Sequence, residues 1–386
     1  MKKNIYILTL SLLLASCSLD HDLVMPGAAE GIRCEIIFST KSQSAHTRAA
    51  DGNIAADTPV YVWADLADDD SEYITSWALT ADGSGGLTGA KKYFPADGDE
   101  LDFYALSGSL ATTPSGSLTN SYVHLVAANQ TTDAAYYASD LLYACRDQVG
   151  PTAGPSSVVP LTFYHMLAKV RVALSSNDPQ SDLSGATLVI NDGGGAVAFS
   201  PQKLTATEMA VPSVGTTMLG THSNKTDVQL PIVQVDDFAA APTEYGEAIV
   251  VPQTYAGGST LLTVTLLIGD QLTFKPDNLT LVSGCVHTLW IEVDEATGQL
   301  HLKVSITPWG DGDTESDSTD LNEITGKTTL VRWNDGNTDS DAGTTEVGEQ
   351  GGINPWQNGS TNGDDEQEEM DGHGAIKPWQ VVEEDY

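Results

Sequence analysis

Apolar residues in this chain recur at every second position over short runs, and each run stops at Gly, Asn, Asp or Pro. A period of two places alternate side chains on opposite faces of a β-strand. The best case is Met166, Ala168, Val170, Val172 and Leu174, which alternate with Lys169 and Arg171. Pro59-Val60-Tyr61-Val62-Trp63 and Leu101-Asp102-Phe103-Tyr104-Ala105 are shorter runs of the same kind, and Trp63 within its run reads as core packing. Residues 158–163 read as the strand that pairs with 166–174, with His165 between them in a structural role. Residues 261–268 read as a strand that turns at Gly269-Asp270 into 272–274. Residues 286–293 and 300–306 form a further pair around a turn at 294–298. No long amphipathic helix is visible and nothing alternates strand with helix, which disfavours a parallel nucleotide-binding sheet or an α/β barrel.

The N-terminus carries an export signal. Lys2 and Lys3 precede an apolar stretch of about ten residues, 5–14, which is short for a bilayer span. It runs into Leu14-Ala15-Ser16-Cys17. Small residues before a cysteine suit a lipoprotein signal peptidase, and the Cys17 thiol would carry the lipid. The competing reading is an ordinary secretory signal with a cysteine nearby. Ser18 in place of Asp favours the outer membrane of a Gram-negative cell, and Asp20 and Asp22 are a weak cue for surface export. Two or more acyl chains anchor a protein stably.

Charge narrows the partners. With 17 basic and 53 acidic residues the net charge is −36, which argues against nucleic acid. Beyond Cys17, the cysteines Cys34, Cys145 and Cys285 lie too far apart in sequence for a zinc motif. A Cys145–Cys285 disulfide and buried free thiols both remain open. The chain divides into a lipoprotein signal peptide (1–17), a leader (18–48), two β-rich parts (49–176 and 177–309) and an acidic tail (310–386). The break in the middle is placed at Ser175-Ser176-Asn177-Asp178-Pro179, a turn-forming cluster.

Four segments in order carry a resemblance: Ser139-Asp140-Leu141-Leu142-Tyr143-Ala144, residues 161–170, Ala248-Ile249-Val250-Val251-Pro252-Gln253-Thr254, and Ile306-Thr307-Pro308-Trp309. Together they resemble the fimbrillin-like lipoproteins, over roughly residues 1–310. The resemblance implies two tandem transthyretin-like Greek-key β-sandwich domains followed by an acidic, largely disordered tail. It implies a structural subunit or adhesin of a surface fimbria, with other fimbrial subunits as partners, an outer-membrane lipid anchor and no catalytic residues. The long acidic tail departs from the family pattern and puts an ordinary stalk role in question.

The leader takes on meaning in that light. Ile32, Cys34, Ile36 and Phe38 alternate with Arg33, Glu35, Ile37 and Ser39, as a strand with one buried face does. The small, polar stretch 41–48 that follows suits a protease. The resemblance implies an arginine-specific cut, for which Arg48, followed by Ala49-Ala50, is the candidate. Arg33 is expected to escape because it lies within the strand. Cutting at Arg48 would free the strand and leave a groove worth about 6–12 kcal/mol to refill, at about 1.5–3 kcal/mol for each of four side chains, by strand addition from a neighbour. The alternative is a permanent first strand behind a lipid anchor.

The tail repeats Ile-x-Pro-Trp at 306–309, 353–356 and 376–379. Ile353, Trp356, Ile376 and Trp379 are candidate docking residues, against the plainer reading of a spacer. Asp335, Asn337, Asp339 and Glu346 have calcium-loop spacing, but Ser340 stands where the sharp turn needs Gly, so no metal is expected. No cofactor is expected either, and no nucleophile, zinc-protease or phosphate-loop motif is present. The second function class is a standalone surface lipoprotein that binds glycan or a host protein, with Trp63, Trp77 or the tail tryptophans stacking on sugars.

Overall fold

A computed structural model describes residues 33–42, 53–178, 180–209, 215–236, 238, 244–308, 322–331 and 345–350. Among these the chain is all-β, with twenty-one strands and three short helices. The first sheet runs β1 (Glu35–Ser42), β8 (Ser156–His165), β7 (Leu142–Val149), β5 (Leu101–Ser107), β2 (Pro59–Leu66), β3 (Glu72–Ala81), β4 (Leu87–Gly89). Its neighbours are antiparallel except β1 and β8, which run parallel.

The second sheet runs β11 (Leu219–Leu230), β10 (Thr187–Phe199), β14 (Leu262–Thr265), β15 (Gln271–Pro276), β20 (Gly326–Val331), β21 (Thr345–Gln350), and β6 (Tyr122–Val126) also pairs with β10. A third sheet runs β12 (Gly246–Val250), β9 (Ala168–Ser176), β17 (Cys285–Asp294), β18 (Gln299–Pro308), β19 (Asn322–Glu323). Strands β13 (Gln253–Ala256) and β16 (Asn278–Leu281) form a two-stranded ribbon. The helices are α1 (Asp133–Ala138), α2 (Ala206–Met209) and α3 (Gly215–Met218).

Apolar burial gathers into two clusters. One holds Ile36, Phe38, Val60, Val62, Trp77, Leu79, Phe103 and Phe163 from the first sheet. The other joins the second and third sheets and also takes Trp63 and Tyr104. Strand β2 therefore feeds both clusters, Val60 and Val62 from one face and Trp63 from the other, which is why β2 and β5 are buried almost without a break. The edge of β12 is met by a side chain. Gln130, fully buried, donates from Nε2 to the Ile249 carbonyl at 2.7 Å and accepts the Ile249 N–H at 2.8 Å. That amide imitates one rung of a strand's ladder at Ile249.

Several local readings meet the structure directly. Strands β17 and β18 form the expected hairpin around Asp294, whose carboxylate accepts the Ala296 and Thr297 N–H groups. Cys145 and Cys285 are free and buried. Burial pushes the Cys145 thiol up to about 12 and raises that of Cys285.

Others are corrected. β8 and β9 are adjacent in sequence but do not pair. β8 joins β1 and β7, whereas β9 joins β12 and β17. The buried pair Met166-Leu167 carries the chain from one sheet to the other instead of turning a hairpin. The apolar run 261–268 is a strand only to Thr265. Leu267 and Ile268 are 78% and 68% exposed in the turn closed by Leu266 and Asp270. Within the segment read as an acidic tail, β20 pairs along β15 and buries Ile324, Thr328 and Leu330 nearby.

Candidate subunit-assembly groove

Strand β1 is held along both edges. On one side it runs parallel to β8 in unbroken register from Glu35 opposite Ser156 to Ser42 opposite Phe163. On the other, Ile36 donates its N–H to the Lys92 carbonyl at 2.9 Å, Phe94 donates to the Cys34 carbonyl at 3.0 Å, and Thr40 donates to the Gly85 carbonyl at 2.6 Å. β1 thus bridges β8 to the far side of the same sheet, and no other strand closes that gap among the described residues. The close approach at Thr40 depends on Gly85. Its φ is +96°, and a Cβ there would stand 3.0 Å from the Thr40 carbonyl oxygen. Asp82 shapes that turn by accepting the Ser84 and Gly86 N–H groups at 2.7 and 2.8 Å, and those bonds hold its carboxyl below the usual range.

Alternation decides what β1 buries. Cys34, Ile36, Phe38 and Thr40 face the core, while Arg33, Ile37, Ser39 and Lys41 are exposed and Glu35 is half-buried. Phe38 is the anchor. Its ring lies 5.7 Å from that of Phe103 in an edge-on arrangement, and Phe94 meets Phe103 edge-on at 6.0 Å. Ile36 and Phe38 alone contribute about 3–6 kcal/mol of apolar burial. On the outer face, Ile37 lies opposite Val158, an exposed apolar pair on the β1–β8 ladder.

The structure brings Cys34, Ile36 and Phe38 together on one face. Ile32, Cys17, Arg48 and Ala49 lie outside the described residues, as do Ile353, Trp356, Ile376 and Trp379. Arg33 is corrected. It precedes β1, is exposed, and sets its guanidinium 5.9 Å from the Tyr93 ring centroid. Backbone pairing begins at Cys34 and Glu35, so it covers the residues after Arg33 and not Arg33 itself. Trp63 and Trp77 are buried and donate their indole N–H groups to the Gly116 and Ala90 carbonyls, so neither can stack on a sugar.

The flank formed by residues 91–94 escaped the sequence reading. Lys91 pairs with Glu35 at 2.8 Å, and Lys92 sets its ammonium 6.0 Å from the Trp77 ring centroid. The signal for it was Lys91-Lys92-Tyr93, a basic and aromatic run in a strongly acidic chain. A second concavity, of about 420 Å³, opens between residues 53–59 and α1. At its wall Asp140 accepts from or pairs with His165 Nδ1 at 2.9 Å, beside Tyr137 and Ile54. No group of three or more His, Cys, Asp or Glu is placed to hold a metal ion among the described residues.

Among the described residues the body is all-β, and β1 is clasped between two edges. The chain belongs to the fimbrillin-like family, whose model matches residues 47–309. Among solved structures it is similar to a candidate cell adhesion protein from Bacteroides uniformis ATCC 8492, at 19% identity and a TM-score of 0.48, over 71% of this chain and 98% of that one. A candidate cell adhesion protein from Bacteroides ovatus ATCC 8483 follows at 13% identity and 0.47, covering 72% and 98%. The C-terminally truncated tip fimbrial protein Mfa3 of Porphyromonas gingivalis is similar at 8% identity and 0.44, covering 72% and 99%. No curated protein matches. Family membership supports a role as a fimbrial subunit or adhesin at the cell surface.

Proposed function

We propose that this chain is a non-enzymatic fimbrial subunit. It is exported as an outer-membrane lipoprotein through Cys17 and joined to its neighbours by β-strand addition in the groove that β1 fills. The observation that carries the reading is the double-edged clasp of β1. Both flanks offer backbone groups, and the core offers slots for Ile36 and Phe38, so the site accepts one extended strand of the right pattern and little else. The family match begins at residue 47 and leaves β1 ahead of it. Cleavage after Arg48 would sever the connection between β1 and the body. While the connection is intact, β1 occupies its groove at high effective concentration and excludes a competitor. Once it is cut, an incoming strand gains the same burial less the cost of association.

The test is to treat the purified chain with an arginine-specific protease and follow size by light scattering, beside Arg48→Ala. Oligomers in the cleaved wild type alone support the mechanism. Complete cleavage at Arg48 with a monomeric product that keeps β1 bound overturns it. A standalone lipoprotein that binds glycan or a host protein is the second reading, and it rests on the cavity beside Tyr137, Asp140 and His165. Filaments that persist when the gene is deleted would favour it.

A further inference from the structure

Arg33, Lys91 and Lys92 line one open concavity of about 560 Å³ with Tyr73 and Tyr93. Three cations at one lip stand out in a chain with only 17 basic residues and a net charge of −36. Glu35 neutralises Lys91 at 2.8 Å, and the Lys91 side chain is still 65% exposed. Among the described residues neither Arg33 nor Lys92 has a carboxylate within ion-pair distance. Each instead lies near an aromatic ring, at 5.9 Å from Tyr93 and 6.0 Å from Trp77. No acidic residue lines the concavity among the described residues, and Asp97 acts on Tyr73 from outside that lining. The lip therefore carries a net positive charge on a scaffold of tyrosine rings.

We infer that this lip receives the acidic segment Asp364-Asp365-Glu366-Gln367-Glu368-Glu369-Met370-Asp371 of a second copy of the chain. Six of those eight residues are acidic and none is basic, which complements the lip in sign. The source is a second copy because of where the segment leaves the fold. It follows β21, which packs on β20 and β18, whereas β1, β3 and β4 at the lip pack chiefly among their own sheet. Thirteen residues, 351–363, separate Gln350 from Asp364 and span at most about 45 Å. A segment from a neighbouring copy reaches the lip free of that limit on length. Bodies this acidic repel, but at about 0.15 M salt that repulsion is screened beyond about 8 Å, while pairs in contact persist.

The inference concerns the uncleaved chain with β1 in place, so it stands or falls separately from strand exchange. The test mixes isotope-labelled and unlabelled full-length chain and applies a carbodiimide, which joins an amine to a carboxylate only in contact. Lys91 to Glu35 within one chain is the internal control. The expected result is mixed-isotope links from Lys91 or Lys92 to residues 364–371. Those links should be lost about tenfold or more in 1 M salt, where screening acts within about 3 Å, and in Glu368→Lys/Glu369→Lys, whose changes lie outside the described residues. If the control link forms and tail links are absent, or are found only within one isotope, the inference is overturned.

Discussion

Phe38 packs its ring 5.4 Å from that of Trp77, with the planes inclined at 56°. The contact ties β1 to β3 within the first core, and Phe103 completes the aromatic cluster. The strand we propose to be exchanged is therefore also part of what holds the unexchanged subunit together. On that proposal, a subunit would be stable until β1 leaves and would be driven to accept another strand afterwards.

Truncation of that anchor should show its weight. Phe38→Ala removes a 4%-exposed ring from the cluster and is expected to cost about 3–5 kcal/mol in urea unfolding. Ile37→Ala, on the outer face and 40% exposed, should change stability by less than about 0.5 kcal/mol. Equal losses would mean that β1 does not present one face to the core.

A second prediction concerns the third sheet. Lys169 is fully buried, and its ammonium lies 2.9 Å from Glu247 Oε1, the same oxygen that accepts from Arg171 Nε at 3.0 Å. Replacing the carboxylate while leaving two cations in place is strongly unfavourable. Glu247→Ala should lose about 3–5 kcal/mol by denaturant titration, with Glu247→Gln falling between it and wild type.

Much of this was legible in the sequence, and the losses have a common cause. Alternation named the buried face of β1 and the β17–β18 hairpin because both depend on neighbours in sequence. It could not name partners. Residues 158–163 and 166–174 carry good strand patterns, but the strands they join lie far off in sequence, at Ile37 for the first and at Val286 and Gly246 for the second. The run ending in Leu267-Ile268 misled because apolar residues at a tight turn look like strand continuation. Residues 326–331, inside an acidic tail, were hidden by average composition, although Leu330 is packed. Gln130 and Lys169 gave no signal, since a buried polar residue reads as a surface one until its partner is known.

Acid should reveal His287. It is fully buried in the third sheet and its Nε2 accepts the Val282 N–H at 3.0 Å. Burial pulls its pKa down from 6.5 to about 4. The folded state holds it neutral, so stability from this group is complete above pH 6.5. It is lost as pH falls, because the unfolded chain takes the proton first. A gap of about 2.5 units at 1.36 kcal/mol per unit sets the loss at roughly 3 kcal/mol by pH 4. The measurement is stability against pH for wild type and His287→Gln. The variant should depend on pH less steeply between 6.5 and 4, by up to one proton.

The anchor can be tested without reference to the fold. Wild-type protein expressed in a Gram-negative host should incorporate palmitate and partition with membranes, and Cys17→Ala should do neither. Equal labelling of both proteins would remove the lipoprotein reading and leave the assembly reading untouched.

The last prediction separates two possible cuts. Arg33 and Arg48 both precede the family-matched body or lie at its start, but only one cut releases β1. The Arg33 side chain is exposed, yet the residues after its peptide bond, Cys34 to Ile36, are tied to Pro155, Lys92 and Phe94. A protease needs several residues on each side of the bond in extended form, so cutting there must first peel away the start of β1, against the burial of Ile36 and the Lys91–Glu35 pair. Arg48 carries no such requirement if 43–52 acts as the connection we propose. Brief treatment with an arginine-specific protease should therefore give a body beginning at Ala49 well before one beginning at Cys34, as read by N-terminal sequencing. The two products should also differ in behaviour. The body beginning at Cys34, made from Arg48→Ala by prolonged treatment, keeps β1 covalently attached and should stay monomeric. The body beginning at Ala49 should assemble. Assembly of both to the same extent would show that release of β1 is not the switch, and that the polymer contact lies elsewhere on the subunit.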